Sequence, residues 1–167
     1  MLQFVVVVFG QSVNAPNVAE KLLTTNKQNA KAILQSMGFS SVLSEKKSIA
    51  DAGGLVLTVV SGVYKNHTSR CELYFSDGKT TPDMVFIQYN EYENMDVLCK
   101  TYEKAGYTIS ERDIKPAYMN TEGMDRTILK WAKQVGNKNI VCISEIANVP
   151  QTNSGAVIDL NACFYKK

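Results

Sequence analysis

The chain is poor in the residues that most often carry chemistry: 167 residues contain one histidine, one tryptophan, four prolines and four cysteines. The lone histidine, His67, sits in the polar turn Lys65-Asn66-His67-Thr68, which leaves a histidine metal cluster without members. Cys71, Cys99, Cys142 and Cys163 are far apart and form no Cys-x-x-Cys pair, which excludes a zinc ribbon and a thioredoxin-type site. They read as small buried thiols, with a Cys142 to Cys163 bridge open only if the last two strands align them in an oxidising compartment. No apolar run approaches the ~20 residues of a membrane helix. The opening Met1 to Gly10 stretch lacks the basic start of a signal peptide. An excess of one charge is missing as well, because 18 basic and 16 acidic residues leave a net charge of +2 spread along the chain. No basic stripe is therefore available for nucleic acid or anionic lipid. The expectation is a soluble protein, cytoplasmic or in an assembled particle, with no membrane contact and no cofactor. No tract is of low complexity and no segment repeats at a fixed period.

What is present is ordinary globular patterning, sufficient for a single domain over residues 1–167 that buries roughly 70% of its extended surface. Leu2 to Phe9, apolar on both faces and rich in valine, predicts a buried central strand. Asn17 is placed to cap a helical pattern through Val18, Leu22, Leu23, Ala30, Ile33, Leu34 and Met37, which Gly38 ends. Thr24 to Asn29 forms helix poorly, so one irregular helix or two short ones are expected. Leu55, Leu57, Val59, Ser61 and Val63 then alternate, answered after the turn by Cys71, Leu73 and Phe75, and Met84 to Tyr89 adds a third strand.

Asn94 can cap a helix from Met95 to Ala105 that stops at Gly106, with a short strand at Tyr107 to Ile109. Thr121 caps a further expected helix in which Met124, Ile128, Leu129, Ala132 and Val135 recur at helical spacing, with Trp131 beside them as a core residue. The most legible stretch is the last, Asn139 to Tyr165, two strands around the loop Val149 to Gly155. Its second strand alternates Ala156, Ile158, Leu160, Ala162 and Phe164 against polar neighbours. The order β-α-βββ-α-(β)-α-ββ predicts an α+β domain, a largely antiparallel sheet with helices packed on one face.

Three constellations could carry chemistry. The strand-to-helix loop with Gly10, Ser12, Asn14 and Asn17 is placed to offer backbone donors to an anionic ligand. Its Ser12 lacks the second glycine of a nucleophile elbow and has only His67 as partner, so the residues read as satisfying loop backbone. Glu145 falls opposite Asp159 if the last hairpin sets Ile146 against Ile158 and Cys142 against Ala162, a pair that could attract a metal cation. Tyr89 and Tyr92, with Glu91 and Glu93, form an aromatic and acidic segment suited to a protein partner. Gly78-Lys79-Thr80 resembles the end of a phosphate loop only in part, since Leu73 stands at the required upstream glycine and Thr81-Pro82 follows, so it reads as a turn.

With no intact catalytic motif and a mixed surface, the reading is a non-catalytic structural or interaction module, a subunit of a larger assembly. It works through protein partners or self-association, and a viral or phage particle component would suit such a chain. One alternative is a small enzyme or ligand-binding domain using the 10–17 loop. Another is a regulatory or inhibitor protein acting by strand addition or through its tyrosines.

Overall fold

The computed structural model describes residues 16–49, 55–64, 69–92, 95–116, 125–151 and 155–166. The first helical pattern resolves into two short helices, α1 (Pro16–Leu23) and α2 (Ala30–Ser36), with a 3-10 turn at Lys27–Asn29 between them. The break falls in the stretch of poor helix formers, where Asn26 Oδ1 accepts the Gln28 amide at 3.0 Å and so satisfies a donor that a helix start leaves unpaired. Helix α1 opens on Pro16, whose fixed φ suits a first helical position, so Asn17 lies inside the first turn and not ahead of it. The strand expected at Leu2 to Phe9 lies outside the described residues.

Four strands follow, β1 (Phe39–Ile49), β2 (Leu55–Tyr64), β3 (Ser69–Phe75) and β4 (Met84–Tyr92). After α3 (Met95–Lys104) come β5 (Thr108–Pro116), β6 (Asp125–Val135), β7 (Lys138–Gln151) and β8 (Gly155–Lys166). They form one eight-stranded sheet in the order β1-β2-β3-β4-β8-β7-β6-β5, and each neighbouring pair is antiparallel. The architecture is thus more sheet than helix.

Two expectations are corrected here. The helix expected from Thr121 is, over its described part Asp125–Val135, strand β6, in which Thr127, Leu129 and Trp131 point one way and Arg126, Ile128 and Lys130 the other. Its apolar residues fit both periods, and the side chains buried against β7 decide between them. Strand β1 had no sequence forecast. Among the described residues it lies at one edge of the sheet, with Ser44, Glu45 and Lys46 exposed, so it carries little apolar alternation. Strand β5 likewise runs well beyond the expected Tyr107 to Ile109, for the same reason at the other edge.

One row of the ladder crosses six strands. Val60 pairs with Leu73, Leu73 with Val85, Val85 with Phe164, Phe164 with Cys142, and Cys142 with Trp131. All six are buried, and they share one core cluster with Leu22 and Leu23 of α1, Leu34 of α2, and Leu98 and Tyr102 of α3. Strand β2 is apolar on both sides: Val60 faces that core, while Leu57 and Val59, also buried, face the opposite side. Cys71, Leu73 and Phe75 therefore share a face with Thr58, Val60 and Gly62, not with Leu57 and Val59 as the alternation suggested. Gly62 is required by a close approach, since a Cβ there would lie 2.9 Å from Phe39 Cβ.

Both edge strands carry a register irregularity, at Ser40 to Leu43 against β2 and at Ile109 to Glu111 against β6. In the first, Ser41 holds a φ of 50°, left-handed backbone that a side chain disfavours. Ser41→Gly is expected to stabilise the fold by about 0.5 kcal/mol, since relief of that strain slightly exceeds the entropy a glycine adds to the unfolded chain. Ser41→Val is expected to lower the thermal midpoint, and equal midpoints for serine, glycine and valine would count against strain at this position.

Candidate functional site: the open face of the sheet

The side chains that alternate with the core row lie on the other face of the sheet and build a second surface. On the first four strands its centre is Glu72 of β3, only 5% exposed. Neighbours two positions away on a strand share its face, which brings Arg70 and Tyr74 of β3 to the Glu72 carboxylate, where both donate hydrogen bonds. Lys47 reaches it across β2 from the edge strand, 3.3 Å from Oε1, and also lies 3.1 Å from Glu45. Burial pushes the Glu72 carboxyl up, but the Tyr74 hydroxyl and the Arg70 and Lys47 charges outweigh it and hold the group below its ordinary value. Burial and the bond to Glu72 together raise the Tyr74 phenol above its own. The Glu72 carboxylate thus meets three donors, while Lys47 and Arg70 stay partly exposed.

On the last four strands the same face opens. Glu111 and Asp113 of β5, Ile128 and Lys130 of β6 and Ile143 of β7 line a recess of about 270 Å³. Ile143 is 40% exposed on one side of it, and Lys130 Nζ lies 3.2 Å from Glu111 Oε2. Beside it, Arg126 and Glu145 form an ion pair in which the arginine side chain is 10% exposed. The recess thus combines two isoleucines with side chains of both charge signs.

The expected register of the last hairpin is displaced by two residues. Glu145 pairs with Asn161, and Asp159 pairs with Ala147, so the two carboxylates do not stand opposite one another. The shift keeps the apolar face intact, since Ile146 now meets Leu160 and Cys142 meets Phe164, and alternation alone does not distinguish registers two apart. Glu145 is instead satisfied by Arg126. Among the described residues no three histidine, cysteine or acidic side chains gather as a metal site.

Of the anion-loop residues, Gly10, Ser12 and Asn14 lie outside the described residues, as do His67 and the turn around it, while Asn17 is exposed on the first turn of α1. Tyr89 and Tyr92 belong to β4 at the middle of the sheet, paired with Leu160 and Val157. Gly78-Lys79-Thr80 is a turn: Gly78 has a φ of 73°, Lys79 pairs with Asp83, and Asp83 Oδ2 accepts the Ser76 amide at 2.9 Å. The four cysteines are free, and Cys142 and Cys163 point to opposite faces of the sheet. Burial raises all four thiols above their ordinary value, so none is a ready thiolate.

Sequence reasoning missed Glu72, Arg126, Glu111, Asp113 and Lys130. The spacing Arg70-x-Glu72-x-Tyr74 inside a strand was a readable signal for the first. The others come from β5 and β6, whose strand character was not legible. No helix among the described residues is long and apolar enough to cross a membrane. No family model, curated protein or solved structure matches the chain.

Proposed function

We propose that the chain is a non-catalytic interaction module, a subunit of a larger protein assembly, and that its partner docks on the open face over β5, β6 and β7. With the helices packed on one face, the opposite face is left to a neighbour. The observation that carries this reading is the recess itself, in which Ile128 and the exposed Ile143 share a lining with Glu111, Asp113 and Lys130. An exposed isoleucine beside charged groups gains free energy when a partner removes it from water, of the order of 25 cal/mol per Å² of apolar surface. The satisfied Glu72 cluster and the raised thiols support a binding role over a catalytic one.

Sedimentation velocity across a hundredfold concentration range tests the version in which the neighbour is the chain itself. Concentration-dependent association is expected for the native sequence, with loss of at least tenfold in affinity for Ile143→Arg at unchanged thermal stability. A strictly monomeric native chain at hundreds of micromolar would rule out self-association through this face.

A further inference from the structure

The strand order is its own reflection: β1-β2-β3-β4 meets β8-β7-β6-β5, so the last strand of one quartet pairs with the last strand of the other. Each quartet follows a helix, α2 in one case and α3 in the other, and corresponding strands start about 70 residues apart. Local detail repeats with them. The two helices are followed by glycines of positive φ, Gly38 at 89° and Gly106 at 87°. Each glycine precedes a buried aromatic, Phe39 or Tyr107. Both first strands then break register against their second strands, and both third strands set a buried cysteine, Cys71 or Cys142, into the core. The chain thus repeats in architecture although it does not repeat in sequence. Two like units meeting through equivalent strands reproduce the arrangement of a two-fold dimer.

We infer that Pro16–Tyr92 and Met95–Lys166 are complementing subunits joined in one chain, and that the β4 and β8 seam lets a second copy of this chain supply either half. The seam is built as an obligate interface. Nine residue pairs run along it, from Met84 with Tyr165 to Tyr92 with Val157. Its centre is Val85 and Ile87 against Phe164 and Ala162, all at most 1% exposed. Helix α1 of the first half closes it from above, where Lys166 Nζ donates to the Leu23 carbonyl at 2.8 Å and Lys133 pairs with Glu20 at 2.8 Å. The same contacts form whether the halves belong to one chain or to two, which is the condition for reciprocal exchange. The outer edges are blunted by comparison, with Lys46 and Lys47 on β1, Arg112 on β5 and a register break on each. This inference stands apart from the recess on the open face.

The test inserts a protease site between Tyr92 and Met95 of the full chain and a control site within residues 117–124, inside the second half. After cleavage at the seam, one particle of intact mass is expected by light scattering. Its fragments, separated in urea and remixed, should recover the native emission of Trp131, the only tryptophan, at a rate that rises about tenfold for tenfold more protein. The control cut should yield fragments that recover at least tenfold less signal. Fragments of the seam cut that separate at micromolar concentration, recovery independent of concentration, or equal recovery after both cuts would each overturn the inference. So would an uncut insertion variant that fails to fold, because a true joint between units tolerates added residues.

Discussion

Trp131→Ala is expected to cost about 3–5 kcal/mol, the range for removing a large buried aromatic. The indole is fully buried at the end of the six-strand row, 4.9 Å from the Tyr102 ring. Tyr102 in turn stacks at 6.0 Å on Phe164 of β8 and meets Tyr107, just before β5, edge-on at 5.8 Å, so one substitution opens a cavity beside the ring that ties these aromatics together. The indole N-H also donates to Ser144 Oγ at 2.9 Å. That hydroxyl keeps a second bond, to the Leu129 carbonyl at 3.4 Å, so losing the indole does not leave it unpaired. Trp131→Phe is therefore expected to cost well under half as much as Trp131→Ala, and urea unfolding followed by circular dichroism measures both. Equal costs would mean that the hydrogen bond, not the volume, sustains the site.

Trp131 also shows how much of this fold the sequence exposes. Its burial is legible from its type, but its strand is not. Ile128, Leu129, Ala132 and Val135 satisfy a helical period, while Leu129 and Trp131 satisfy a strand period, and only the facing strand β7 decides. Helix α3, strands β2 to β4 and the final hairpin were legible as elements because turn residues bound them, although β2 is apolar on both sides and its facing residues were not. Both edges were not, since a strand with one free side need not alternate: Leu43 on β1 and Ile114 on β5 are among the most exposed aliphatic side chains. The recess was hidden for the same reason, as Glu111 and Asp113 belong to an edge strand. The repeat of architecture left only punctuation in the sequence, chiefly Gly38-Phe39 and Gly106-Tyr107, because backbone conformation is held by single glycines while core volumes are redistributed. Gly62 against Phe39 in one half and Trp131 beside Tyr102 in the other illustrate that redistribution.

Removing the cations that balance Glu72 is expected to invert the acid dependence of stability. In the native chain the carboxyl lies below its ordinary value of 4.5, because Tyr74, Arg70 and Lys47 outweigh its burial. A carboxyl lowered on folding binds fewer protons folded than unfolded. Its contribution is therefore complete above the unfolded value and lost as pH falls through the folded one. In Lys47→Met/Arg70→Met only the Tyr74 hydroxyl remains, and burial dominates. The carboxyl then rises above its ordinary value, and stability falls as pH increases past the unfolded value. The double variant should lose about 2 kcal/mol at pH 7, less than for a fully buried pair because both cations are partly exposed. It should regain most of that loss between pH 7 and pH 4, where the native chain gains nothing. Adding Glu72→Gln should restore stability at pH 7 and flatten the profile, since a neutral amide needs no counter-charge. Urea midpoints at four pH values across that range separate the cases. A double variant that follows the native slope, or one that Glu72→Gln does not rescue, would show that Lys47 and Arg70 act by packing their stems and not by their charge.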